Sequence, residues 1–579
     1  MKAMKKVLSV LVCLCIVLGC ASMTAFANET PTGSITVKDQ SGTNATVAGK
    51  TLNLFKIFDA TSNGTNISYK WIVKDGVNLY ESFFYGDPDI KDAEGKVIFE
   101  NRIGKEGNSI NDVVAYINSL KDDSYAFSQM ASDLHEYIHK KGIDPKPSVN
   151  VPLGVTSYKF DDLSLGYYMI YDATDLTNAE AAVRSAAMLA HPGENKEIEL
   201  KADRPHVEKY VNDNKGAGAP DWKNGTTASI GDIVTFKITT TIPDHALYGK
   251  NYTFEISDKM ADELELVGNI NVTLTAPQSV EIVDDDEHYE VITSQDEIKD
   301  ATVDFKVVLT DITKLSAGTV VDVTYTAKVL ATANANNANT AILTYSNDPN
   351  DKTSTGTVDS AVNVHIWQLT LTKYLEGANG APSFMRLKGA EFEIYKVVDG
   401  NEVKLTFSNT TEVTSAAGVK YIKYILDENA TNTVLKTLDS GENLDDGSTD
   451  VGKTDGGFLG QILIFGLGEG TYRIKEIKAP DGYQKADGAF EFALTDTIGV
   501  TGAVGDSSVS YVNPEKPGQF TRVSADSTNV KYYIGITNAP GSALPETGGM
   551  GTTLFTILGI IMMAGAAAFF TSRKRSSVA

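Results

Sequence analysis

The chain of 579 residues has only three cysteines, Cys13, Cys15 and Cys20, and all lie near its N-terminus. That segment reads as a secretory leader. Lys2, Lys5 and Lys6 precede an apolar run from Val7 to Leu18, and Ala25-Phe26-Ala27 offers small residues for cleavage before Asn28. The run is too short to span a bilayer comfortably. Beyond residue 27 no cysteine is left, which excludes disulfide staples, a cysteine nucleophile and a Cys-rich metal site. Positive charge is also scarce. Lys and Arg number 51 against 75 Asp and Glu, and residues 1–27 and 548–579 each hold three basic and no acidic residues. Without those ends the balance is 45 against 75, a net charge near −30 that repels nucleic acid and anionic membranes. Of seven histidines, His135 and His139 stand at helical spacing, but no adjoining glutamate completes a protease-type zinc motif, and the pair reads as a solvated helix face. Asp284-Asp285-Asp286-Glu287 reads as a charged loop rather than a calcium site. No metal or cofactor is expected, and little supports an enzyme acting on an external substrate.

What the chain does have is concentrated at its C-terminus. Leu544-Pro545-Glu546-Thr547-Gly548 is followed by an apolar run from Thr552 to Phe570 and then by Arg573-Lys574-Arg575. The run gives about 28 Å of helix, enough to cross a hydrocarbon core, and the basic cluster holds the tail on the cytoplasmic side. This order resembles the cell-wall sorting signal read by sortases. The resemblance implies cleavage after Thr547, transfer of its carbonyl to an amine, and a membrane-tethered precursor that ends on the cell wall. Val17-Leu18-Gly19-Cys20 loosely resembles a lipoprotein box, but the Ala-x-Ala site is the better one and the other end already carries an anchor.

Between the ends, short alternating segments rich in Thr, Val, Ile and Tyr are separated by Gly, Asn and Asp clusters, the pattern of β-sandwiches. The expected class is mainly β, as tandem immunoglobulin-like sandwiches, with a small helical insertion predicted at Ile110–Leu120 and Ala131–Lys140. About 520 exported residues suffice for three domains, expected at 28–202, 203–364 and 365–542. The first and third share a weak repeat. Gly49–Lys56 resembles Gly389–Lys396, and Leu163–Ile170 echoes Leu467–Ile474.

Alternate strand residues share a face. On that count Lys209 sits with Val207 and Val211, Asp258 with Phe254 and Ile256, and Asn347 with Leu343 and Tyr345. Further on, Lys373 sits with Leu369 and Leu371, Glu476 with Tyr472 and Ile474, and Asn538 with Ile534 and Ile536. A lysine and an acid forced into a core shift toward their neutral forms. A neutral lysine is a nucleophile and a protonated acid shuttles protons. Beside an asparagine, the trio has what is needed to form a Lys–Asn amide and release ammonia.

Gly470-Thr471-Tyr472-Arg473-Ile474-Lys475-Glu476-Ile477-Lys478-Ala479-Pro480-Asp481-Gly482-Tyr483 resembles the E-box of Gram-positive pilins. With Lys373 and Asn538, the third domain resembles a collagen-adhesin B-type domain. Ser229–Phe236, the Asp258 strand and Tyr345-Ser346-Asn347-Asp348-Pro349 resemble the middle domain of isopeptide-forming fimbrial subunits. The resemblance implies spontaneous bonds Lys209–Asn347, assisted by Asp258, and Lys373–Asn538, assisted by Glu476. By analogy with disulfides, each long loop so closed contributes roughly 5 kcal/mol. Lys38 aligns with Lys373 and Asp172 with Glu476, yet Lys38 lies opposite the apolar face of Ile35 and Val37, which argues against a third bond.

The resemblance further implies a polymerising pilus shaft protein, whose partners are sortases, other copies of itself, peptidoglycan and, potentially, a host-surface ligand. In the family an acceptor lysine sits between the first and second domains. Lys201, in Ile198-Glu199-Leu200-Lys201-Ala202-Asp203, occupies that junction but lacks the usual Tyr-Pro pair before it and Asn after it; Lys196 and Lys215 are rivals. A monomeric wall-anchored adhesin, or a basal or tip pilin, is the alternative.

Overall fold

The computed structural model describes residues 32–575 except 42–44, 64–65, 121–123, 177–182, 193–195, 201, 213–218, 278–279, 283–287, 378–381, 410–412, 415–419, 440–458, 496–507, 512–519, 527–530, 543 and 545–549. The leader, the Asp284–Glu287 run, Lys201, Lys215 and Pro545–Gly548 fall outside the described residues.

The chain is mainly β, with six larger sheets that follow one another in pairs along the sequence. In the first pair, Thr32–Lys38 lies between Lys196–Glu199, parallel, and Ser157–Ser164, antiparallel. Facing it, Thr51–Ser62 and Gly166–Asp172 form the centre of a five-stranded sheet. The second pair contains Val207–Asn212, Ile233–Thr241 and Val320–Val329 in one sheet, and Phe254–Met260, Asn336–Ser346 and Thr355–His365 in the other. The third pair has Trp367–Glu376 between Gln461–Leu467 and Lys531–Asn538 in one sheet, and Glu391–Val398 beside Gly470–Lys478 in the other.

The alternation that predicts these strands is a packing requirement. In Val320–Val329, Val321, Val323, Tyr325, Ala327 and Val329 are buried while the residues between them are not. Each large apolar side chain so buried contributes about 1.5–3 kcal/mol, and slipping the register by one residue would send them all to solvent. The repeat between the first and third parts is also real in space. Asp172 pairs with Leu52, and Glu476 pairs with Phe392, the same positions in the two aligned segments.

Helices gather in the first part, as expected, at Ile110–Ser119 and Ser124–Lys140. Ser109 caps the former by accepting from the Asp112 amide at 3.4 Å. The latter starts seven residues before the predicted Ala131, because Phe127 and Met130 extend its packed face into the same aromatic core. His135 also departs from expectation. Its ring stacks on Tyr171 with centroids 3.3 Å apart and meets the edge of Phe55, so it packs inward rather than facing water.

Neighbouring sheet pairs abut directly. Arg184 Nη1 lies 2.8 Å from Asp348 Oδ2, and its amide donates to the Asn347 carbonyl at 2.8 Å, tying the first pair to the second. Between the second and third, a single residue, Ile366, links two long strands. Gly468 donates its amide to Ser229 Oγ at 3.1 Å, and a Cβ there would stand 2.6 Å from Ala228 backbone carbon, so only glycine permits this approach. C-terminal to the sheets, Met550–Arg575 is one helix, whose Gly551–Arg573 stretch is long and apolar enough to cross a membrane.

Candidate crosslinking sites

The site in the third sheet pair follows from strand order. Trp367–Glu376 and Lys531–Asn538 run parallel and adjacent, with Lys373 opposite Ile536 and Leu375 opposite Asn538. Glu476 projects from the facing sheet. Lys373 Nζ lies 3.0 Å from Glu476 Oε1, and Asn538 Nδ2 donates to Glu476 Oε2 at 2.9 Å. One carboxyl group therefore touches both the amine and the amide. The Ala486 amide donates to Oε2 at 2.6 Å and fixes the carboxyl. All three side chains are buried, and the Phe392 ring lies 5.6 Å from the amine. Burial lowers the Lys373 pKa to about 8, against the opposing pull of Glu476. The Asn538 oxygen has no hydrogen-bond partner among the described residues.

In the second pair, Lys209 Nζ is in direct hydrogen-bond contact with Asp258 Oδ2, and both side chains are fully buried. Burial pushes the lysine down and the aspartate up, which favours the neutral amine and the protonated acid. Lys209 Nζ also donates to Tyr325 Oη at 2.7 Å, and the Phe236 ring centroid lies 5.5 Å from it.

The structure does not bring Asn347 to this pair. Asn347 is buried, on the face expected, but its Oδ1 accepts from Ser354 Oγ at 2.7 Å and its carbonyl serves Arg184. The reason is height along the strand. Asp258 pairs with Ala341, so Asn347 stands six residues away, about 20 Å in an extended strand. The asparagine at the right height is Asn339, opposite Met260, whose Nδ2 donates to Tyr325 Oη at 2.8 Å. Continuing the alternation backward from Tyr345 through Leu343 and Ala341 reaches Asn339, a signal present in the sequence.

In the first pair the aligned acid Asp172 is fully buried, but its amine is Lys50, not Lys38. Lys50 Nζ lies 2.6 Å from Asp172 Oδ2 and donates to the Val183 carbonyl at 2.7 Å. Lys38 faces outward, 3.2 Å from Glu197 and 3.7 Å from Glu199. Among the described residues no asparagine side chain bonds to Lys50 or Asp172.

Lys201 is bracketed by two buried residues, Leu200 and Ala202. The Ala202 amide donates to Gln40 Oε1 at 2.8 Å, and the Asp244 amide to Asp203 Oδ2 at 2.9 Å. A small cavity lined by Gln40, Ala202, Asp203, Asp244, Leu247 and Tyr248 opens beside this junction. Lys196 is half-buried in the strand paired with Ile35. Leu544, the first residue of the sorting pentapeptide, is exposed.

Residues 383–506 match the SpaA prealbumin-like fold domain, and residues 537–577 match the LPXTG cell wall anchor motif. No curated protein matches the chain. Similar solved structures include the T6 backbone pilin of serotype M6 Streptococcus pyogenes, at 15% identity and TM-score 0.46, covering 90% of this chain and 100% of that one. The full-length major pilin SpaD from Corynebacterium diphtheriae gives 15% and 0.40, covering 90% and 100%. The group B streptococcus pilus 2b backbone protein gives 21% and 0.34, covering 55% and 98%. The second match agrees with the sorting signal read from the sequence, and the first gives residues 383–506, expected as part of a β-sandwich, a prealbumin-like fold. The anchor motif and its apolar helix mark a cell-wall-anchored surface protein with a membrane-tethered precursor.

Proposed function

We propose that this chain is the shaft subunit of a sortase-assembled pilus, polymerised covalently and reinforced by autocatalytic Lys–Asn isopeptide bonds. The observation that carries the reading is Glu476 touching Lys373 and Asn538 together, in a chain that ends in a cell-wall sorting signal. The chemistry balances within the site. Neutral Lys373 attacks the Asn538 side-chain carbonyl, a C–N bond forms, the bond to Nδ2 breaks, and the amine's proton leaves with it as ammonia through Glu476. With domains divided near residues 203 and 365, the second and third would each present such a site to the load along the filament. Sortase would cut after Thr547 and pass its carbonyl to Lys201 of another copy, and the last subunit would be passed to peptidoglycan.

The test is the size of wall-released protein under denaturing conditions. A ladder of multimers in the parent strain that collapses to monomer with Lys201→Ala is expected. A ladder that persists in that variant moves the acceptor to Lys196 or Lys215. A single wall-linked species in the parent would favour a monomeric adhesin, or a basal or tip subunit.

A further inference from the structure

We infer that the crosslink of the second sheet pair joins Lys209 to Asn339, with the Tyr325 hydroxyl acting at the reacting atoms as the second proton-handling group beside Asp258. This deepens the self-crosslinking reading and rests on it.

Three observations converge. The Tyr325 hydroxyl accepts from both Lys209 Nζ, at 2.7 Å, and Asn339 Nδ2, at 2.8 Å, so one oxygen spans the two groups to be joined. Lys209, Asp258, Tyr325 and Asn339 are all almost wholly buried, within an apolar shell that includes Phe236 and Phe305. The Asn339 oxygen has no hydrogen-bond partner among the described residues, which leaves it available to a protonated acid. Burial also holds the Tyr325 phenol in its protonated form, so its own proton is free for donation toward Asp258.

The step is a transamidation. Proton transfer from the Lys209 ammonium to Asp258 leaves a neutral amine and a carboxylic acid. The amine attacks Asn339 Cγ while the Tyr325 hydroxyl, in contact with the same side-chain amide, links the asparagine to Asp258. The new C–N bond forms, the Cγ–Nδ2 bond breaks, and one amine hydrogen passes through Asp258 and Tyr325 to the departing nitrogen. Ammonia leaves, Tyr325 ends as it began, and Asp258 ends as a carboxylic acid, keeping the proton it took from the ammonium.

This arrangement differs from the third-pair site. There one glutamate reaches both reactants, whereas the shorter Asp258 contacts the amine and Tyr325 but, among the described residues, not Asn339. Tyrosine supplies the missing reach.

Peptide mapping of the full chain tests the pairing, with the Lys373–Asn538 site as an internal control. A Lys209 peptide joined to the one bearing Asn339 is expected, and a join to Asn347 overturns the inference while leaving the self-crosslinking reading intact. Asn339→Asp reads the reacting carbon directly, because loss at that site should change from ammonia, about 17 Da, to water, about 18 Da. An unchanged 17 Da loss there excludes Asn339. Absence of any joined pair at either site overturns both readings. For Tyr325→Phe, the Lys209 bond should form at least tenfold more slowly while the Lys373 bond in the same molecule keeps its rate. Equal rates, or slowing at both sites, removes the phenol from the chemistry.

Discussion

Lys50 Nζ and Asp172 Oδ2 stand 2.6 Å apart in the core of the first sheet pair, at the ladder position that Glu476 takes in the third. The acid is kept and the amine comes from elsewhere. Lys50 immediately precedes the strand that pairs with that of Asp172, whereas Lys373 belongs to a strand of the opposite sheet. Removing one partner of a buried ion pair strands the other charge. Lys50→Met should therefore cost roughly 3–5 kcal/mol, with Lys50→Met/Asp172→Leu recovering most of it. Hydrogen exchange over Thr51–Ser62 and Gly166–Asp172 measures this; little change in the single variant would mean the pair is dispensable.

Glu476→Gln keeps the shape of the third-pair site but removes its acid. The Lys373–Asn538 join should be lost, leaving the intact mass about 16 Da above the parent's, the ammonia retained (about 17 Da) less about 1 Da for the substitution itself, and the third pair should lose roughly 5 kcal/mol of stability. A joined Lys373–Asn538 peptide in this variant would show the carboxyl to be unnecessary.

Burial against Tyr171 lowers the His135 pKa to about 4, from an ordinary 6.5, with His139 and Arg184 adding to the effect. The unfolded chain thus takes up the proton first as pH falls. Its stabilising contribution is complete above about pH 6.5 and is lost as pH falls through 4, by roughly 3 kcal/mol. Thermal unfolding of the first sheet pair across that range should show the slope, and His135→Phe should flatten it. An equal slope in the variant would place the pH dependence on another group.

Arg184 is held by the Thr174 carbonyl at 2.7 Å while its other end neutralises buried Asp348. Arg184→Ala leaves Asp348 unpaired, and exchange protection around Asn347–Asp351 should fall at least tenfold. Protection unchanged there would mean that the junction is held by its other contacts, such as Lys352 on Tyr125.

These sites show which parts of a structure a linear reading can reach. Lys209, Asp258, Lys373, Glu476 and Asn538 were legible because face is a matter of parity, and parity survives in the sequence. Asn347 has the right parity and the wrong height, since counting along one strand says nothing of the register of its neighbour; the Asp258–Ala341 pairing supplies it. Lys50 was missed for a related reason: the repeat aligns it with Ala390, and only the three-dimensional ladder shows that a different strand feeds the same acid. The sorting signal is legible because it is a contiguous motif, with no neighbouring strand whose register must be known. Its first residue, Leu544, stands exposed.

The parallel pairing of Trp367–Glu376 with Lys531–Asn538 has a consequence for length. With Lys373 and Asn538 joined, a pull entering before residue 373 leaves after residue 538 through one side-chain bridge. The residues between them, roughly 540 Å of extended chain at about 3.3 Å each, are excluded from the contour. A filament of such units could draw no length from that stretch until a covalent bond broke.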